Sequence, residues 1–183
     1  MNIELLSDNH ITMLEEFCER CNHLGYTNNS SLNAMKFDWC RNQGYYYGAV
    51  QNSKIVAVAG CHPLNELGNN AWRILFRGCE LPGASPYKGL NKGDWNSITQ
   101  RNFIPIFIEK CPTENLYITT NISNEHSGKA LRNHKLMTIL SKQKILDFVC
   151  DMELYHTMQT VWKLNINEYT RRRNLLCGSI GNT

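Results

Sequence analysis

The stretch from Trp72 to Cys111 constrains this chain most, because strand, loop and helix signals follow one another inside it without a break. Residues Ala71 to Leu81 alternate in character, with Trp72, Ile74 and Phe76 on one face. Arg73, Leu75, Arg77 and Cys79 fall on the other face, which is the period of a strand. Pro82-Gly83 ends that strand. A loop follows through Lys88, Gly89, Leu90, Asn91, Lys92 and Gly93. Asp94-Trp95-Asn96-Ser97 then reads as a helix start with Asp94 as N-cap. Pro105 kinks or divides this helix, which ends near Cys111-Pro112. A pliable backbone opening into a helix N-terminus presents free N–H groups and the positive end of the helix dipole. That arrangement suits a phosphate.

The 183 residues suffice for one domain with a full core. Hydrophobic residues at 42% and charged residues at 19% are ordinary for a globular protein. A net charge of +3 is too mild to imply nucleic acid. The longest apolar run, Phe103 to Ile108, contains Pro105, so a membrane span is not expected. Met1-Asn2-Ile3-Glu4 lacks the basic and then apolar pattern of a signal peptide, and the reading is therefore cytoplasmic. In that setting the eight cysteines are expected to be free thiols. Cys18 and Cys21 form a C-x-x-C beside His23, but a zinc site wants a second pair; at helical spacing they read as packing residues. Cys61 and Cys79 read the same way, and no metal is expected.

In chain order, Asn2 to Leu6 is an opening strand, and Ser7 or Asp8 caps a helix running to Leu24. A second helix carries Leu32, Met35 and Trp39 and ends at Gly44. Tyr45 to Val50 and Ile55 to Cys61 form a hairpin, and the second strand, apolar on both faces, should be central. After the strand–loop–helix unit come a strand over Asn115 to Ile122 and a helix over Gly128 to Ser141. Strands over Ile145 to Cys150 and Gln159 to Leu164 follow, with residues 152–158 extending one of them. The expected domain spans residues 1–168, and residues 169–183, with Arg171-Arg172-Arg173, are expected to be a flexible basic tail. The fold class is α/β: a mixed sheet of about seven strands flanked by about four helices.

This order resembles the GNAT superfamily, the Gcn5-related N-acetyltransferases. Three stretches carry the likeness. Tyr47-Gly48-Ala49-Val50 with Ile55-Val56-Ala57-Val58-Ala59-Gly60 is similar to the family's central hairpin. Cys79-Glu80-Leu81-Pro82 with Lys88 to Gly93 stands where the family has its fourth strand and pyrophosphate loop. Thr119 to Ser127 stands where the fifth strand ends and an asparagine leads into the next helix. Glycines 89 and 93 are spaced more widely than in the family's Q/R-x-x-G-x-G/A, and Leu131 stands where the family often has a tyrosine acid.

The resemblance implies acetyl-CoA as co-substrate, bound where two neighbouring parallel strands part. Backbone groups of Cys79 to Leu81 would hold the pantetheine arm and polarise the thioester, and the amides from Lys88 to Asp94 would take the pyrophosphate. Asn121 or Asn124 would bond the pantetheine amide. Glu80 is the candidate base for the acceptor amine, and His126 the candidate acid or base on the thiolate side. The implied reaction is acyl transfer to a primary amine of a small molecule or a protein. The alternative is a GNAT-fold binding or structural module without catalysis, and the third is a nucleic-acid accessory protein using the basic C-terminus. The sequence leaves a homodimer open.

Overall fold

The computed structural model describes residues 1–20, 44–79, 102–122, 137–148 and 154–178. They form a mixed sheet built from β1 (Asn2–Leu5), β2 (Tyr45–Gln51), β3 (Lys54–Pro63), β4 (Trp72–Cys79), β5 (Leu116–Asn121), β6 (Met137–Phe148) and β7 (Leu154–Leu164). Their order across the sheet is β1-β2-β3-β4-β5-β7-β6. Every neighbouring pair is antiparallel except β4 and β5. The described α-helices are α1 (Ile11–Arg20), α2 (Ile104–Lys110) and α3 (Ile166–Gly178).

The hairpin lies where its residues predict. Asn52 and Ser53 both take positive φ, 51° and 57°, the backbone a two-residue turn needs to match the twist of β2 and β3. β3 sits third in the sheet, and all of it from Ile55 to His62 is buried. Its neighbours approach so closely that a Cβ on Gly44 would land on the Cys61 carbonyl oxygen, so only glycine fits there.

Alternation along the strands divides the core into two faces. Tyr47, Ala49, Ala57, Ala59, Ile74, Leu116, Ile118 and Trp162 face α2, whose Phe103-side entry and Phe107 pack on them. Tyr46, Ile55 and Val58 turn the other way and pack on Leu14 and Phe17 of α1. Further along that second face, Tyr117, Val161 and Ile145 form a third cluster. Cys61 and Cys111 meet within the larger core with their sulfurs 3.0 Å apart. Burial, then the contact with Cys111, pushes the Cys61 thiol far above its usual range, so it packs as a neutral group. This agrees with the reading of Cys61 as a core thiol.

Several boundaries differ from the sequence reading. Ser7 opens a 3-10 turn over Asp8–His10 before α1 begins, and residues 21–24 lie outside the described residues. Pro105 lies in the first turn of α2, where a missing N–H leaves no helical bond unmade, so the described helix begins there and is not broken by it. The helix expected over Gly128 to Ser141 is corrected at its end: residues 137–141 belong to β6, continuous with the strand expected from Ile145. A short apolar run such as Leu136, Ile139, Leu140 fits either period, and pairing with β7 from Met137–Leu164 to Phe148–Leu154 decides for strand. Residues 128–136 lie outside the described residues.

The expected tail is also corrected. Ile166–Gly178 form α3, and Tyr169 is buried in the larger core. The Asn165 side chain accepts the Glu168 N–H at 3.0 Å, an N-cap that the sequence reading passed over. Burial holds the Tyr169 hydroxyl up to about 12. Hydrogen bonds from Arg171 and Arg172 hold Glu168 down to about 2. A carboxyl with a depressed folded-state pKa stabilises the fold above its unfolded value and loses that contribution as pH falls through the folded one. Glu168→Gln should therefore lower the melting temperature at pH 7, and the gap from the parent should close between about pH 4 and pH 2. A gap that persists at pH 2 would mean the side chain acts by packing.

Candidate active site

Among the described residues β4 and β5 are the one neighbouring parallel pair, and their ladder is short. It joins Trp72 to Leu116, Arg73 to Tyr117 and Ile74 to Ile118. Both strands continue past the last pair, β4 to Cys79 and β5 to Asn121. Each keeps its outer partner: Cys79 lies opposite Ala57 of β3, and Asn121 lies opposite Gln159 of β7. The sheet therefore opens between β4 and β5 at their C-terminal ends while remaining whole on either side.

A bulge accompanies the parting. Ala59 lies opposite Phe76 and Val58 opposite Gly78, so Arg77 has no opposite residue in β3. An extra residue bends its strand and increases the local twist, which turns the end of β4 away from β5. It also breaks the alternation read from the sequence: Cys79 comes opposite Ala57, a residue of the Ile74 face. No residue type at Phe76-Arg77-Gly78 announces this, apart from the glycine.

Beyond Ile74, the backbone groups of β4 that face β5 have no strand partner among the described residues. Such a row accepts an extended ligand carrying amides much as a strand edge accepts a peptide. On the far lip, β5 is held by β7: Trp162 lies opposite Ile118, and its indole N–H donates to the Thr120 hydroxyl at 2.9 Å. Of the residues expected at the site, Cys79 and Asn121 are brought to these two lips, as the last residues of β4 and β5. Glu80, Leu81, Lys88, Gly89, Leu90, Asn91, Lys92, Gly93, Asp94, Asn124 and His126 lie outside the described residues.

A cavity of about 350 Å³ lies at the other end of the sheet, lined by Glu114, Asn115, Lys163 and the start of α3. Lys163 donates to Asn115 Oδ1 at 2.8 Å there and lies 5.9 Å from the centre of the Tyr117 ring. Its position, where β5 begins and β7 ends, separates it from the opening. Among the described residues no cluster of His, Cys, Asp or Glu could hold a metal ion, and no helix is long and apolar enough to cross a membrane.

No protein-family model and no curated protein matches this chain. Solved structures do. The aminoglycoside acetyltransferase AAC(6')-Ib, in complex with coenzyme A and kanamycin, superposes with a TM-score of 0.61 at 10% identity, over 94% of this chain and 98% of that one. A probable acetyltransferase from Staphylococcus epidermidis gives 0.54 at 17% identity, over 88% and 96%. A GNAT-family acetyltransferase from Streptococcus pneumoniae gives 0.52 at 11% identity, over 89% and 99%. With the strand order and the parted parallel pair, these likenesses establish that the chain is a divergent protein with the GNAT acetyltransferase fold.

Proposed function

We propose that this chain is an acyl-CoA-dependent N-acyltransferase, moving an acetyl group from acetyl-CoA to a primary amine by direct attack in a ternary complex. The observation that carries the proposal is the β4–β5 ladder ending at Ile74–Ile118 while both strands run on. In this reading the pantetheine arm lies along the free edge of β4, and the thioester sits between the ends of β4 and β5. Backbone groups from Cys79 to Leu81 polarise its carbonyl, and Asn121 or Asn124 bonds the pantetheine amide. The amides from Lys88 to Asp94, with the Lys88 and Lys92 ammoniums, take the pyrophosphate. Glu80, directly or through water, removes the proton from the acceptor amine. The amine nitrogen bonds to the carbonyl carbon, the C–S bond breaks, and His126 returns a proton to the departing thiolate. The structure of AAC(6')-Ib with coenzyme A supports a cofactor of this class in this fold.

The wide glycine spacing and Leu131 in place of a tyrosine favour a second reading, a module with this fold that has lost catalysis. Ligand-dependent melting separates the two. Acetyl-CoA at a hundred times its dissociation constant should stabilise the protein by about 2.7 kcal/mol, a shift of several degrees. The Lys88→Ala/Lys92→Ala variant should lose affinity for coenzyme A but keep its affinity for pantetheine, which lacks the diphosphate. No shift at millimolar acetyl-CoA leaves the module reading.

A further inference from the structure

The chain has eight cysteines, and the fold brings two of them together from far apart in sequence. Cys61 lies on β3, and Cys111 follows the last residue of α2, 50 residues on. Both are free thiols, and their sulfurs are 3.0 Å apart. A disulfide holds its sulfurs about 2.05 Å apart, so a closing movement of about 1 Å would join them. A thiol S–H is a weak donor, so the contact itself adds little to the reduced fold.

The two thiols differ in access. Cys61 is 1% exposed, and burial, then the contact with Cys111, keeps it protonated. Cys111 is 7% exposed and stands where α2 gives way to the exposed Pro112. Its N–H closes the helix on the Phe107 carbonyl at 2.9 Å, while its own backbone is extended. A small oxidant therefore reaches Cys111 first.

The chain between the two cysteines contains the whole strand–loop–helix unit from β4 to α2. Cys61 lies opposite Ile74, and Ile74 lies opposite Ile118, the last β4–β5 pair before the sheet opens. A bond between the two sulfurs would fasten the end of α2 to that row.

We infer that Cys61 and Cys111 are a peroxide-responsive pair, whose disulfide staples α2 to β3 under oxidising conditions and is released by a thiol reductant. The oxidant is a hydroperoxide. Cys111, as thiolate, attacks the terminal peroxide oxygen: an S–O bond forms, the O–O bond breaks, and the departing oxygen takes up the proton that Cys111 gave up. This leaves a sulfenic acid on Cys111. The Cys61 sulfur then attacks the Cys111 sulfur: the S–S bond forms, the S–O bond breaks, and hydroxide leaves as water with the Cys61 proton. Two electrons pass from the two thiols to one peroxide.

The test uses the full chain, reduced and then exposed to hydrogen peroxide well below its melting temperature. Remaining thiols are alkylated, and a protease digest is mapped by mass spectrometry. A peptide pair joined through Cys61 and Cys111 is expected, and a thiol reductant should separate it. The cross-link spans 50 residues and restricts the unfolded chain, so the oxidised protein should melt on the order of 10 °C above the reduced one. Cys111→Ala should melt within a few degrees of the reduced parent and show no rise with peroxide, and Cys61→Ala should show none either. Thiols that stay open to alkylation at both positions, Cys111 oxidised without a partner, or a cross-link between other cysteines overturns the inference. So does a rise of parental size in Cys111→Ala. A joined pair that leaves the melting temperature unmoved or lowers it also overturns it, because the sulfurs would then meet only by distorting the fold.

Discussion

Trp162→Ala should destabilise the protein by about 3–5 kcal/mol and lower the melting temperature on the order of 10 °C. Trp162 is 1% exposed and is among the largest fully buried side chains. Its removal leaves a cavity between β7 and the core that Phe107 and Ile118 share with it. The consequence extends beyond packing. Among the described residues β5 has no β4 pair past Ile118, so β7 is the strand that holds its last residues, and the Trp162–Thr120 hydrogen bond is part of that support. The variant should therefore bind acetyl-CoA more weakly even at temperatures where it is fully folded. Trp162→Phe keeps much of the volume and loses the indole N–H. It should fall between the two in melting temperature while showing most of the binding defect. Equal losses of stability with unaltered binding in both variants would show that β5 holds its place without the tryptophan.

How far the sequence discloses this fold depends on which force decides each element. The β2–β3 hairpin is legible because the polar turn residues Asn52-Ser53 sit between two strand-forming runs, and the apolar run of β3 fits its place between two neighbours. The first turn at Ser7 and the strand at Trp72 are legible for the same local reasons. β6 is not, because Met137 to Ser141 satisfies helical and extended spacing alike and pairing with β7 selects between them. α3 is hidden by its composition. Arg171-Arg172-Arg173 reads as a solvated tail until Asn165 caps the turn and Tyr169 enters the core. At the candidate site, β5 ends at Asn121, within a residue of the bound at Ile122 read from the sequence, while the end of β4 read at Leu81 lies outside the described residues. The opening between them is a property of pairing, and no residue within either strand encodes it alone.

Deleting Arg77 should abolish acetyl-CoA binding while leaving a folded chain. Arg77 is the residue without an opposite number in β3, so the ladder on that side can close over its absence. Gly78 and Cys79 would keep Val58 and Ala57 as their partners, with no extra residue between Phe76 and Gly78. The local twist would also fall toward that of a regular strand, and β4 would be free to extend its pairing with β5 beyond Ile74–Ile118. The measurement is melting with and without acetyl-CoA. The parent should show the ligand-dependent rise described above, and the deletion variant should show none, with a ligand-free melting temperature within a few degrees of the parent. Circular dichroism checks that the sheet persists. A ligand-dependent rise of parental size in the deletion variant would show that the opening does not depend on the bulge, and that loops at the strand ends hold β4 and β5 apart.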